Sequence, residues 1–418
     1  MTSEVKMKSW LRTLIYFVAA ILITAFVTAA VTTNLLNRKR ENEVVMTSEE
    51  YAQIRDLLVF NELIDKINNE YYYDPPARDE LISAGLNGMV GSLDDRYAQY
   101  FTAQEYEKYL TNISGQYSGI GMLIGQPAEN GAPVLDVYEN TPAAAGGVLP
   151  GDIVTAVEGA SIVGLELDAI AAAVDREIGE TVTLTLLRGA ETFDVTLTCA
   201  EISIQHVTHK LFKQRTGYIK ITMFTGNCAQ EFKEAVNDLK DRGMKCLVID
   251  LRDNPGGSLS DVVSVADTLL GESTIVSVRG RLEAEGEVYT SNRKGVSVPI
   301  AVIVNENSAS ASEILAAAVR ENNAGIVVGM TTFGKGIVQT TFHLSTNGGW
   351  IKLTTDGYYT PGGNSIHGKG VVPDIEVDLP DELKGIPLDE VSQDDDAQLW
   401  AALDYVRGVV DGTVEPII

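Results

Sequence analysis

Residues Val302–Gln339, VIVNENSASASEILAAAVRENNAGIVVGMTTFGKGIVQ, carry the most information about this chain. The apolar run Ile300–Val304 predicts a buried strand, and a helix is expected to begin at the serines that follow it. These serines are Ser308, Ser310 and Ser312. A helix start offers unpaired N–H groups and the positive end of the helix dipole, which favour negative charge developing on a substrate oxygen. A serine at this turn is therefore a candidate nucleophile.

A lysine lies between two glycines shortly afterwards, in Gly334-Lys335-Gly336, behind the apolar run Gly325–Val328. Burial of a lysine disfavours its charged form, so its pKa falls and the neutral amine can accept a proton. The two halves of the stretch together predict a serine–lysine catalytic centre.

SASASE at 308–313 and TFGKGIVQ at 332–339 resemble the S-A-S-A-S-E and T-F-G-K-G-x-V-Q patterns of the C-terminal processing (tail-specific) peptidases, a family of Ser–Lys serine proteases. The resemblance implies that Ser310 is the nucleophile, that Lys335 is the general base and that Gln339 orients the lysine. Asn307 stands where the family usually has glycine.

Each motif taken alone has a plainer interpretation, because serines commonly cap helices and Gly-Lys-Gly commonly forms a turn. A phosphate-binding P-loop is excluded, since Gly336 occupies the position of the Ser/Thr that would hold Mg²⁺. The four histidines offer no convincing triad or metal site, and we expect His206 and His209 at the surface. No metal and no cofactor is predicted.

The N-terminal region predicts a membrane span, because the 24 residues Thr13–Leu36 carry no charge. Basic residues flank both ends, so charge does not settle the orientation. A short flank followed by a long body resembles a signal anchor, which places a single-pass protein in the cell membrane with its catalytic body outside the cytoplasm. The alternative is a cleaved signal peptide, since Ala25–Ala30 contains small residues suited to cleavage.

The net charge of the 418-residue chain is −26. Residues 1–46 hold six basic and three acidic side chains, so the rest of the chain carries about −29. Such an acidic body is not expected to bind nucleic acid. The three cysteines, Cys199, Cys228 and Cys246, are an odd set in apolar contexts, so buried thiols are expected rather than a disulfide framework.

The predicted fold is a multidomain α/β protein with an N-terminal membrane helix, a helical arm and a PDZ domain before an α/β serine-protease core. The expected segments are 1–46 (membrane anchor and flanks), 47–115 (helical region), 116–200 (PDZ domain), 201–380 (protease core) and 381–418 (acidic and helical C-terminal segment). A helical arm of this kind often mediates dimerisation in the family, so a homodimer is one expectation. The arm includes SLDDRYAQYF (92–101), which resembles a family segment but has no assigned chemistry.

Ser118-Gly119-Ile120-Gly121 and TPAAAGGVLPGDIVTAVEG (141–159) resemble a PDZ domain. The resemblance implies that Gly119, Ile120 and Gly121 form the loop that binds a terminal carboxylate, and that Leu165–Val174 is the helix lining the peptide groove. Arg176 lies near the position of a family element that links this domain to the active site. The local sequence DREIGET departs from that element, so a switch role for Arg176 is only a hypothesis.

Arg252-Asp253-Asn254-Pro255-Gly256-Gly257 resembles the family loop that supplies an oxyanion-hole N–H group. The implied hole is formed by Gly256 and by Ala311, the residue after the nucleophile.

The sequence thus predicts a membrane-anchored serine endopeptidase that cleaves polypeptides with accessible C-termini after PDZ recognition. The alternative is a membrane-tethered PDZ binding or scaffold protein with an inactive hydrolase body.

Overall fold

The computed structural model describes residues 3–40, 47–114, 116–281, 286–292 and 294–417. Its helices are α1 (Ser3–Arg40), α2 (Ser48–Glu70), α3 (Arg78–Gly91), α4 (Ala103–Ser114), α5 (Pro142–Ala145), α6 (Leu167–Val174), α7 (Cys228–Asp241), α8 (Leu259–Leu269), α9 (Ala311–Glu321) and α10 (Ala397–Asp411). Its strands are β1 (Gln99–Phe101), β2 (Gln116–Gly119), β3 (Met122–Ile124), β4 (Ala132–Val137), β5 (Ile153–Val157), β6 (Ala160–Ser161), β7 (Thr181–Arg188), β8 (Glu191–Thr198), β9 (Ala200–Ser203), β10 (Val207–Leu211), β11 (Thr216–Ile221), β12 (Cys246–Asp250), β13 (Ser273–Gly280), β14 (Glu287–Ser291), β15 (Ile300–Val304), β16 (Ile326–Gly329), β17 (Ile337–Leu344), β18 (Gly349–Tyr359) and β19 (Ile375–Glu376).

The chain divides into two compact units after Gly85. The first unit contains α1, α2 and the start of α3. The window Trp10–Thr33 of α1 has a mean hydropathy of 2.5 and none of it is buried. By length and composition α1 can cross a membrane, a property that a signal sequence shares.

The PDZ region of the second unit is an antiparallel sheet in the order β3-β4-β5-β7-β8, with β6 on β5, and a separate pair of β2 and β9. Strand β7 shows why these residues form a sheet with one buried face. Val182, Leu184 and Leu186 are fully buried, while the threonines between them are not. This alternation follows the two-residue period of a strand. The groove helix α6 contributes Ile170 to the same core.

The α/β core is built on a six-stranded sheet in the order β10-β11-β12-β15-β16-β19, parallel from β11 onward. All five residues of β12 are buried, as expected for a parallel strand covered on both faces. Helices α7, α8 and α9 contribute to the core on one face, and α10 to the core on the other. Because β12 and β15 are parallel neighbours, the loops that leave their carboxyl ends meet at one edge of the sheet.

A second sheet, in the order β1-β18-β13-β14, carries β17 along β18. Strand β18 pairs with β1 through Trp350–Lys352 and with β17 through Gly349–Gly357. It therefore brings together a segment that precedes the PDZ region and the strand that follows Lys335.

Helix α10 is attached to the core sheet by a buried ion cluster. Arg252, 3% exposed, contacts Asp250 at 2.6 Å and Asp396 at 2.8 Å. Burial alone would raise the pKa of Asp250, but the adjacent Arg252 guanidinium holds it below its usual range. Asp396 also caps α10 by accepting from the N–H of Leu399 at 3.0 Å.

The predicted order of an apolar helix, a helical arm, a PDZ domain and an α/β core is confirmed. Strand β1 interrupts the region that was predicted to be helical from Ser48 to about Asn112. All three cysteines are free and buried, as predicted. The prediction for His206 is wrong, because this side chain is only 7% exposed and burial lowers its pKa.

Candidate active site

Ser310 occupies a strained turn between β15 and α9. Its φ of 56° and ψ of −113° lie outside the conformations that a residue with a side chain readily adopts. Such strain persists only where surrounding contacts impose it, and it is concentrated at functional sites. The side chain of Ser310 is half-buried, so its hydroxyl remains accessible at the start of the helix.

The two flanking serines have a structural task instead. Ser308 and Ser312 are fully buried. The Ser308 hydroxyl donates to the carbonyl of Leu251 at 2.8 Å, and the Ser312 hydroxyl donates to that of Asn254 at 3.0 Å. Both therefore fasten the turn of Ser310 to the loop that follows β12, which leaves Ser310 as the candidate nucleophile.

The loop after β12 is organised by Asn254, which is fully buried. Gly256 lies against the serine turn with a φ of 102°. A Cβ atom added to it would come within 2.7 Å of the Ser310 Cβ and 2.9 Å of the Ala311 nitrogen, so only glycine allows this approach.

The two predicted oxyanion-hole donors differ in the structure. The N–H of Gly256 donates to Asn254 Oδ1 at 2.8 Å. The N–H of Ala311, at the first position of α9, has no acceptor among the described residues. Of the two, only Ala311 is free to donate in this conformation.

Asn307, whose departure from the family pattern could not be interpreted from the sequence, supports this loop. Its Nδ2 donates to Asp253 Oδ1 at 2.8 Å, and Asp253 itself has a φ of 59°. The side chain thus braces the turn that leads to Gly256.

Lys335 lies in the loop between β16 and β17 with its amine 4.8 Å from the centroid of the Tyr97 ring. Burial lowers the pKa of Lys335 below its ordinary value of 10.5, and the charge of Lys352 lowers it further, against an opposing effect of Glu313. A depressed lysine pKa is what a general base requires. No hydrogen bond between described residues joins the amine to the Ser310 hydroxyl.

The carboxylate of Glu313, fully buried in the first turn of α9, joins the serine and lysine segments. Its Oε2 accepts from the N–H groups of Ser310 and Lys335, both at 2.8 Å. Its Oε1 accepts from the Thr332 hydroxyl at 2.6 Å and from the N–H of Gly334 at 2.7 Å. One carboxylate therefore sets the position of both main-chain segments.

Glu313 was quoted within the SASASE motif but received no role from the sequence. The signal that could have found it is its spacing, since a glutamate three residues after a helix-capping serine commonly reaches back to that serine's N–H.

Gln339 and Tyr358 complete the surroundings of the lysine. Gln339 Nε2 donates to the Thr354 hydroxyl at 3.4 Å. Tyr358, 3% exposed, donates its hydroxyl to the main-chain carbonyl of Lys335. Its pKa is raised, chiefly by burial, although a hydrogen bond with Ser310 acts in the opposite direction. Tyr358 was another residue that the sequence did not identify.

The predicted carboxylate-binding residues lie together in the PDZ region. The carbonyl of Ile120 accepts from Ala143 at 2.8 Å, and the carbonyl of Gly121 accepts from the Thr141 hydroxyl at 3.2 Å. The φ of Gly121 is 81°, and a Cβ atom there would lie 2.3 Å from that of Thr141.

Arg176 follows the groove helix α6. Its guanidinium donates to the carbonyls of Ala173 and Asp175, at 3.0 and 2.6 Å, so it folds back onto the end of that helix. Its own carbonyl accepts from the Ser118 hydroxyl at 2.7 Å. Arg176 thus contacts the edge of the carboxylate loop.

Among the described residues, no group of three or more His, Cys, Asp or Glu side chains is arranged to hold a metal ion.

We expect Glu313→Gln to destabilise the protein. The new amide nitrogen cannot accept, so two of the four buried donors lose their acceptor, each at about 1–3 kcal/mol. The free energy of unfolding should fall by about 2–6 kcal/mol in denaturant titration. Glu306→Gln, at an exposed position of the preceding turn, is the matched control and should leave stability unchanged. Equal stability of the two variants would contradict the role of Glu313.

Comparison with known families identifies two regions. The sequence model of peptidase family S41 matches residues 215–377, which include the core sheet from β11 onward and the Ser310 and Lys335 segments. The PDZ domain model matches residues 118–199, which contain the carboxylate loop and α6.

Curated relatives extend the similarity to most of the chain. A probable CtpA-like serine protease of Staphylococcus aureus is 34% identical over 383 residues, covering 91% of this chain and 75% of the relative. A protein of the same description from Staphylococcus epidermidis is 32% identical over 382 residues, with the same coverage. Among solved structures, a photosystem II D1 C-terminal processing protease is 26% identical with a TM-score of 0.47, covering 82% of this chain and 97% of that chain.

These relatives confirm the resemblance inferred from the SASASE and TFGKGIVQ segments. Because relatives more than 30% identical are matched over three quarters of their length, the chain belongs to peptidase family S41 and is a serine peptidase with a PDZ domain ahead of its catalytic core.

Proposed function

We propose that this protein is a membrane-anchored endopeptidase that recognises the C-terminus of a polypeptide through its PDZ domain and cleaves by a Ser–Lys acyl-enzyme mechanism. The observation that supports the proposal is the difference in surroundings among the three serines. Ser308 and Ser312 are buried and bonded to main-chain carbonyls, whereas Ser310 is half-buried. The N–H of Ser310 shares the Glu313 carboxylate with the N–H of Lys335, a lysine whose pKa is lowered.

In the proposed reaction, the Ser310 hydroxyl attacks a peptide carbonyl while the neutral amine of Lys335 takes its proton. The same proton is then given to the leaving amine, and water releases the acyl group from the serine. The lysine side chain must first move from the Tyr97 ring to the serine, since no hydrogen bond joins them in the described conformation.

The N–H groups of Ala311 and Gly256 are proposed to stabilise the oxyanion. Ala311 is ready to donate. Gly256 would have to turn its N–H away from Asn254 Oδ1, or share it, when substrate is bound. Gln339 is proposed to orient the lysine.

For C-terminal recognition, Gly119, Ile120 and Gly121 are proposed to bind the terminal carboxylate through backbone N–H groups, with the peptide added as a strand along β3. The core behind the groove is apolar, with Met122, Ile124 and Val174 packed against it, which favours substrates with an apolar C-terminal residue. Arg176 contacts this loop and is a candidate for transmitting the effect of peptide binding in the groove to the rest of the protein.

Anchoring through α1 with the catalytic body outside the cytoplasm is proposed from the exposed apolar window Trp10–Thr33. A homodimer through the helical arm is also proposed, since α2 exposes Leu57, Leu58, Val59 and Leu63.

The serine assignment predicts that Ser310→Ala abolishes cleavage of casein by the full chain in detergent. Ser308→Ala and Ser312→Ala should retain activity within about tenfold, because they remove a structural hydrogen bond and leave the nucleophile in place. Thermal unfolding of each variant separates lost folding from lost chemistry. Equal loss of activity in all three folded variants would refute the assignment.

The base assignment predicts a pH dependence. Because the free amine is the active form, kcat/KM should rise with pH along a limb that lies below 10.5, the ordinary pKa of lysine. Lys335→Arg should be nearly inactive at every usable pH, since guanidinium stays protonated. Gln339→Ala should weaken turnover without abolishing it. Wild-type activity of Lys335→Arg on one peptide substrate would show that Lys335 is structural.

The membrane topology is tested by adding a protease to intact cells whose outer envelope is permeable to it. The region after residue 46 should be digested while a fragment containing α1 stays with the membrane. Protection of the body until the cells are lysed would place it in the cytoplasm.

A further inference from the structure

Gln339 and Thr354 form a directly opposed pair across β17 and β18. Gln339 Nε2 donates to Thr354 Oγ1 at 3.4 Å, so the amide uses its donor end towards the threonine. Its other end, the carbonyl oxygen, can only accept.

Thr354 lines a cavity of about 710 Å³ together with Asp95, Tyr97, Ile337 and His367. Asp95 is held in place from its own turn, since its Oδ1 accepts from the N–H of Tyr97 at 2.9 Å. Burial would raise the pKa of Asp95, but hydrogen bonds from the Thr354 hydroxyl and from backbone N–H groups lower it on balance. The carboxylate is therefore ionised and can only accept.

The direction of each hydrogen bond follows from these chemical limits. The Thr354 hydroxyl has one proton, and in the relay proposed below it goes to the acceptor-only carboxylate of Asp95, which lines the same cavity. The threonine then faces Gln339 with a lone pair, which only the amide NH₂ can satisfy. The carbonyl oxygen of Gln339 is thereby left for the lysine.

This direction decides whether the lysine can work as a base. A neutral amine has two N–H groups and one lone pair. If Gln339 accepts from an N–H, the lone pair stays free for the proton of Ser310. A reversed amide would donate into that lone pair and block it.

We propose that Thr354 is a positioning residue of the general base, and that the relay Asp95–Thr354–Gln339 aims the Gln339 carbonyl oxygen at Lys335. The proposal rests on the proposed function of Lys335. It also gives a role to the segment 92–101, which supplies Asp95 to the relay and Tyr97 over the lysine amine.

The test is a mutant cycle measured as kcat and KM on one peptide with an apolar C-terminal residue, using the full chain in detergent. Thr354→Val keeps the shape but removes the hydroxyl, and it should lower kcat about tenfold with little change in KM. Thr354→Ser restores the hydroxyl and should recover most of kcat. Asp95→Asn should also lower kcat. An amide can donate as well as accept, so it no longer fixes the direction of the hydrogen bonds in the relay.

Thr355→Val is the matched control. Thr355 is the next residue of the same strand, but its hydroxyl bonds Thr340 at 2.7 Å and Asp356 at 2.5 Å instead of Gln339. This variant should keep wild-type kcat, which separates the relay from a general effect of valine in β18.

The double variant Gln339→Ala/Thr354→Val decides how Thr354 acts. If Thr354 acts through Gln339, adding Thr354→Val to Gln339→Ala should not lower kcat any further. Wild-type kcat in Thr354→Val, or a full additional loss in the double variant, would overturn the proposal. An inactive Lys335→Arg beside an unaffected Thr354→Val would reject the relay alone, whereas an active Lys335→Arg would reject the base assignment itself.

Discussion

The active site depends on one buried carboxylate. Glu313 accepts four hydrogen bonds, and through Oε2 it holds the N–H groups of Ser310 and Lys335 against the same atom. The strained backbone of Ser310 is tolerable because this contact, with the buried hydroxyls of Ser308 and Ser312, leaves the turn no other conformation. One carboxylate thus constrains the main-chain positions of both the proposed nucleophile and the proposed base.

Strand β18 is the second organising element. Lys352 lowers the pKa of Lys335, Thr354 accepts a hydrogen bond from Gln339, and Tyr358 donates to the main-chain carbonyl of Lys335, with a register shift in the β17–β18 pairing between Thr354 and Asp356. The strand pairs with β1 on one side and β17 on the other, which explains how a segment before the PDZ domain reaches the lysine. The amine is thereby surrounded by elements from three distant parts of the sequence.

The sequence was most informative where the residues of a motif are neighbours along the chain. The strand, the serine turn and the lysine loop could be predicted because each is local, and the order of domains followed from the same kind of pattern. Thr354 and Tyr358 could not be found in this way, because their contacts with Gln339 and Lys335 depend on how β17 and β18 pair. The direction of the Gly256 N–H depends on the side chain of Asn254 and has no sequence signature at all.

The buried cluster of Arg252, Asp250 and Asp396 has a consequence for biosynthesis. Arg252 leads directly into the loop of Gly256, yet one of its two carboxylate partners belongs to the cap of α10. Asp396 follows Arg252 by 144 residues, so until α10 has been synthesised the guanidinium lacks a partner that its burial requires. The loop of Gly256 therefore acquires its full support only after a segment more than a hundred residues further along the chain has been made and folded onto the core sheet.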